Sequence, residues 1–147
     1  EIRLSLVGSE MCIRDRFEMR AKAQGKSYSQ NIAPDLNMTG DMAAVQQLIS
    51  ILLDNAFKYS DDGGEIRLSV YAQHKNKVIE VYNTCPPGSL GDIDRFFDRF
   101  YRADKSRTYD GGTGIGLAIA RAIVQALGGS INAETADEKS IVFRAVI

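Results

Sequence analysis

From Met42 onward, Met42, Val45, Ile49, Leu52, Leu53 and Ala56 recur at three- and four-residue spacing. That period predicts an amphipathic helix, N-capped by Asp41 and running to about Tyr59. Asp61-Asp62-Gly63-Gly64 reads as a turn. Ile66, Leu68 and Val70 then alternate with polar residues, which predicts a strand over 65–72 with one buried face. After the polar turn His74-Lys75-Asn76, Val78 to Asn83 forms the return strand of a hairpin. Upstream, the polar but β-compatible stretch 26–32 predicts an edge strand broken by Pro34, and Leu36-Asn37-Met38 a short second strand. Downstream come a Pro/Gly loop from Thr84 to Gly91 and a short helical or irregular segment rich in Phe from Ile93 to Tyr101. A polar loop then leads to a helix from Gly116 to Leu127 that Gly128 and Gly129 stop. Two strands follow, over 130–135 and 140–146, split by the turn Ala136-Asp137-Glu138. The order strand-helix-strand-strand-helix-strand-strand predicts an α/β fold, a two-layer sandwich in which helices cover one face of a mixed sheet.

Residues 1–16 show neither a strand nor a helix period. The string LVGSEMCIRDR resembles a junction peptide met in translated environmental sequences. Residues 1–16 are therefore set aside as non-native, with a native linker or helix end as the alternative, and 17–147 is read as one domain.

Composition narrows the function. A chain of 147 residues buries roughly 70% of its unfolded surface, enough for one core. Lys plus Arg is 18 and Asp plus Glu is 19, so no basic excess points to nucleic acid. No apolar run approaches the ~20 residues of a membrane span. Cys12 and Cys85 have no metal or disulfide spacing, which suits a reducing compartment, and one histidine excludes a multi-His metal site.

Three segments carry chemistry. Asp110-Gly111-Gly112-Thr113-Gly114-Ile115-Gly116-Leu117 places four glycines directly before a helix. Glycine lets main-chain N–H groups approach a ligand, and a helix N-terminus adds unpaired donors and partial positive charge, so the stretch is a candidate phosphate site. It lacks the Gly-Lys-Ser/Thr ending of a P-loop, and the polar residues 102–110 before it cannot be the buried strand of a dinucleotide fingerprint. A flexible linker is the alternative. In Leu52-Leu53-Asp54-Asn55-Ala56-Phe57-Lys58-Tyr59-Ser60, Asn55 and Lys58 share a helix face. An amide oxygen suits Mg²⁺ and an ammonium suits phosphate, while Asp54, about 100° round the helix, could accept a proton. The same spacing fits a solvated helix end capped by Lys58. In Phe96-Phe97-Asp98-Arg99-Phe100-Tyr101-Arg102 the aromatics fit a core or a loop base. Arg102 could reach a terminal phosphate or pair with Asp98 or Asp104.

In this order the three segments closely resemble the ATP-binding catalytic domain of sensor histidine kinases. The wider superfamily also holds the ATPase domains of gyrase, the heat-shock chaperones and MutL, all with the Bergerat fold. The resemblance covers about residues 26–147: LLDNAFKYS resembles the N box, FFDRFYR the F box and GGTGIGLAIA the G2 box. It implies that Asn55 ligates Mg²⁺ and that Lys58 and Tyr59 contact the phosphate chain of ATP. Gly112, Gly114 and Gly116, with Thr113, Ile115 and Leu117 in the same stretch, would wrap the phosphates. Arg102 would orient the γ-phosphoryl group, residues 102–113 would form the ATP lid, and Asp54 would be the base for the accepting imidazole.

Three positions depart from the pattern. The family often has a second Asn where this chain has Ile51. The loop usually reading Asp-x-Gly-x-Gly is Asn83-Thr84-Cys85-Pro86-Pro87-Gly88, so Asn83 stands where an Asp accepts the adenine amino proton. A Thr expected near the adenine falls on Ile141. Because an amide carries no charge and can flip, weaker ATP binding and looser adenine-over-guanine choice are expected. The resemblance also implies partners: a His-bearing dimerisation domain absent from this chain, a response regulator receiver domain, and a homodimeric parent. The domain would be cytoplasmic and the parent anchored in a bacterial inner membrane. His74, in a hairpin turn, does not fit the phosphoacceptor. A degenerate nucleotide-binding module and an anti-sigma serine kinase of the same superfamily are the alternatives.

Overall fold

A computed structural model of the chain describes residues 6–34, 36, 41–101 and 115–147, with side chains from Ile13 onward. The elements run α1 (Leu6–Gln24), β1 (Ser27–Ile32), α2 (Met42–Tyr59), β2 (Glu65–Gln73), β3 (Asn76–Thr84), a 3₁₀ turn (Ile93–Arg95), α3 (Gly116–Ala126), β4 (Ser130–Glu134) and β5 (Ser140–Val146). Asn37 and Met38 of the expected short strand lie outside the described residues, and Leu36 is buried without strand pairing.

The sheet order is β1-β2-β3-β5-β4. Only β1–β2 is parallel, because α2 carries the chain back across the sheet between them; the other neighbours are antiparallel. The sheet is therefore mixed, as the element order predicted. Ile66, Leu68 and Val70 of β2, Ile79 and Val81 of β3, and Ile141, Phe143 and Ala145 of β5 form one buried face. Helix α2 lies on it with Leu48, Ile49, Leu52, Leu53, Ala56 and Phe57 inside, and α3 adds Ala120 and Val124.

Local chemistry sets the ends. The Asp41 carboxylate accepts from the Ala43 N–H at 2.9 Å, so the expected N-cap of α2 is present. At its other end the Lys26 ammonium donates to the carbonyls of Phe57 and Ser60 at 2.8 and 3.2 Å, satisfying acceptors that the helix leaves open. Helix α3 ends in a Schellman motif: Gly129 N–H donates to Val124 O, Gly128 N–H to Gln125 O, and Gly128 sits at φ 80°. Gly129 is required for a second reason, since a Cβ there would lie 2.0 Å from the Val146 carbonyl oxygen.

The N-terminal region departs from the sequence reading. Residues 6–16 are helical and continue into α1. Ile13, Phe17 and Ala21, spaced by four, bury a stripe one residue wide, and Phe17 stacks on Phe57 with centroids 5.5 Å apart. So narrow a stripe, set among Arg14, Asp15, Arg16, Glu18, Arg20 and Lys22, gives no clear period until it meets α2 and Tyr28.

Candidate functional site

The late turns of α2 and the start of α3 meet. A Cβ placed on Gly116 would lie 3.7 Å from Ile51 Cγ2, so the N-terminus of α3 sits against α2 one turn before Asn55. Ile51 and Asn55 are four apart and share that face of α2. Ile51, the position where an Asn was expected, is thus used for helix packing. Asn55, Lys58 and Tyr59 are each half-buried on α2, and the Lys58 ammonium lies 5.6 Å from the Tyr59 ring centroid.

Ile115 occupies the N-cap position of α3 but makes no side-chain cap, and the first turn carries no acidic residue. Among the described residues no side chain caps the leading N–H groups, and the helix dipole there favours an anion. Ile115 and Leu117 are half-buried and Gly116 is exposed. Arg102, Gly112, Thr113 and Gly114, with the rest of the expected lid, lie outside the described residues.

Asn83 is the third component. Its side chain is 1% exposed on the helix-covered face of β3, facing Ile66 across one strand boundary and Ile141 across the other. The position expected to carry a Thr near the base is therefore the direct cross-strand neighbour of Asn83. The Asn83 amide donates through Nδ2 to the Thr84 carbonyl at 2.9 Å, while Oδ1 is buried with no partner among the described residues. An unmet buried acceptor costs about 1–3 kcal/mol, which a donor on a ligand would recover.

Asp54 is not brought into this group. It faces α1, where the Arg20 guanidinium pairs with it at 2.7 Å and also lies over the Phe57 ring. The Phe-rich segment forms a loop base: Phe96 stacks on Phe143, Phe97 meets the same ring edge-on, and the Tyr101 hydroxyl accepts from the Asp92 N–H at 2.7 Å. Phe100 at its end is exposed at φ 66°. His74 lies exposed in the β2–β3 turn at φ 55°, as the hairpin reading placed it.

Sequence reasoning missed Thr84 and Asp61. The Thr84 hydroxyl donates to Asp61 Oδ1 at 2.6 Å and accepts from the Glu65 N–H at 2.9 Å. The available signal was the doubled glycine after Asp61: Gly63 takes φ 71° for the turn, whereas Gly64 makes room for these side chains.

Residues 40–147 match the family described as histidine kinase-, DNA gyrase B-, and HSP90-like ATPase. The chain is 38% identical to sensor histidine kinase WalK of Bacillus subtilis over 133 residues, which are 86% of this chain and 21% of that protein. It is 34% identical to sensor protein CiaH of Streptococcus pneumoniae over 132 residues, 89% of this chain and 30% of that one. It therefore spans less than a third of the length of these curated relatives. In fold it is similar to the catalytic domain of histidine kinase ThkA, with a TM-score of 0.79 at 23% identity, covering 99% of this chain and 95% of that one. Full-length ShkA in complex with AMPPNP gives 0.81 at 20% identity, covering 99% of this chain and 30% of that one. With most of its length matched by the family's own model and its fold shared with these catalytic domains, the chain belongs to the histidine kinase-, DNA gyrase B-, and HSP90-like ATPase family.

Proposed function

We propose that this chain is the ATP-binding catalytic domain of a two-component sensor histidine kinase. It would transfer the γ-phosphoryl group of ATP to a histidine on a separate dimerisation domain. The observation that carries the reading is the abutment of the uncapped α3 N-terminus on Ile51, one turn from Asn55. Family membership and the names of the relatives support it.

In this reading the leading N–H groups of α3, with Gly112, Gly114 and Thr113 before them, bind the phosphates, and Lys58 and Tyr59 approach the same chain from α2. Asn55 would hold Mg²⁺, whose chemistry there is to neutralise phosphate charge; a magnesium ion takes few protein ligands. Asn83 Oδ1 would accept the adenine amino proton, which answers the buried atom's missing bond. Arg102 would orient the γ-phosphoryl group. Asp54 would have to release Arg20 before serving as a base. The protein contributes positioning and charge stabilisation rather than covalent chemistry.

His74 is the chain's single histidine and lies in a hairpin turn, so phosphohistidine is assigned to the partner domain. A response regulator would take the phosphoryl group onward, within a homodimeric parent anchored in a bacterial inner membrane. No helix among the described residues is itself long and apolar enough to cross a membrane. Residues 1–16 are proposed as a non-native junction that extends α1. Mixing the chain with a His-bearing hairpin and labelled ATP tests the function. Label on the hairpin histidine is expected; nucleotide binding without transfer would replace this reading with a degenerate module.

A further inference from the structure

The last turn of α2 meets two demands that conflict. In the nucleotide reading it carries Lys58 and Tyr59 toward a phosphate chain. It is also the C-terminal end of a helix, where unpaired carbonyls gather partial negative charge that repels an anion. Asp61 and Asp62 follow at once and add to that charge. Lys58 is the one basic residue in the turn itself. Further positive charge comes from a distant part of the chain. Lys26, between α1 and β1, places its ammonium 2.8 Å from the Phe57 carbonyl oxygen and 3.2 Å from that of Ser60. These two carbonyls flank Lys58 and Tyr59 in the sequence. The Phe57 carbonyl also accepts from the Ser60 hydroxyl at 3.2 Å, and the Ser60 N–H closes the turn on the Ala56 carbonyl. The helix thus meets part of its own hydrogen bonding at this end, whereas Lys26 brings a full charge to it. Arg20 of α1 acts in the same sense, pairing at 2.7 Å with Asp54, the one acidic residue of α2.

We propose that Lys26 is a positioning residue for the phosphate chain of the nucleotide. Its charge offsets the negative end of α2, and its two bonds hold the turn that presents Lys58 and Tyr59. The inference rests on the nucleotide reading above and adds to it a residue outside the three segments that carry that reading. A lysine that served only as a cap would matter for folding and for all ligands alike. A cation at the helix end acts on a ligand through the ligand's charge, and dissolved salt screens it.

Calorimetric titration of the wild type and Lys26→Gln with ADP and magnesium, at about 0.05 and about 0.5 M sodium chloride, tests this, with adenosine as the uncharged control. Glutamine keeps a donor for the carbonyls and lacks the charge. At low salt Lys26→Gln is expected to bind ADP roughly two- to fivefold more weakly. The gap should close at high salt, and adenosine should be affected less than ADP. Lys26→Arg, which keeps the charge, should stay near the wild type. A loss that is independent of salt and equal for adenosine, together with a lower melting temperature, would reduce Lys26 to a structural cap and overturn the inference. Unchanged ADP affinity in Lys26→Gln would overturn it as well. Either result leaves the nucleotide reading standing, because the wild type still binds. A wild type that does not bind ADP would overturn both.

Discussion

The two faces of the sheet handle polar groups in opposite ways. On the open face, Glu80 accepts from the Tyr71 hydroxyl at 2.6 Å and from Arg144 Nε at 2.8 Å, Arg144 also reaches Glu134, and the Arg67 guanidinium lies 4.1 Å from the Tyr82 ring centroid. These groups are part-exposed and matched to one another. On the covered face the strands bury only one polar side chain among the described residues, Asn83, and half of its amide is unmatched. A matched polar set on a wet face gives a little stability. An unmatched acceptor in an apolar layer lowers stability and is retained where a ligand completes it.

The largest effect expected from this contrast is on packing. Leu52→Ala removes a fully buried side chain from under α2 and is expected to cost roughly 2–5 kcal/mol in urea unfolding. Tyr71→Phe on the open face should cost under about 1.5 kcal/mol. Comparable losses would erase the distinction between the faces. Next, Asn83→Ala should shift the stability of the nucleotide-free protein by no more than about 1.5 kcal/mol, yet abolish most of the melting-temperature rise that ADP produces. A large loss without nucleotide would make Asn83 structural. Asn55→Ala, at a half-buried position, should change free-protein stability by about 0.5 kcal/mol or less. It should remove the part of nucleotide binding that depends on magnesium, read by titration with and without EDTA.

The smallest effect concerns acid. Partial burial pushes the Glu80 carboxyl up, but hydrogen bonds from Tyr71 and Arg144 and the Arg144 charge outweigh it and hold the group below its ordinary value of 4.5. The folded protein therefore binds this proton less readily than the unfolded chain. Its contribution is present above about 4.5 and fades as pH falls through that value and then the lower folded one. Because the pair is partly exposed, the amount is under about 1 kcal/mol. Urea midpoints of the wild type and Glu80→Gln should differ at pH 6 and draw together as the pH is lowered past 4.5; a constant gap would show that proton binding at Glu80 is not involved.

Regular periods were legible in the chain because they repeat a local rule. The α2 stripe with Asp41 before it, the alternation of Ile66, Leu68 and Val70, and the paired glycines after α3 each state their element within a dozen residues, and the structure contains all three. Helix α1 was not legible, since its stripe is only one residue wide. Nor were Lys26 at the end of α2 or Arg20 on Asp54, because each partner lies more than 30 residues away in the chain.

The sequence by itself determined the element order from β1 onward, the helix-covered mixed sheet and the three segments whose order marks the family. Tertiary structure alone decided that β5 enters between β3 and β4, which sets Ile141 against Asn83, and that Gly116 comes to rest on Ile51. It also decided which end of the Asn83 amide is free. Residue type fixes what a group can donate or accept; which of those bonds remains to be made depends on neighbours brought in from distant parts of the chain.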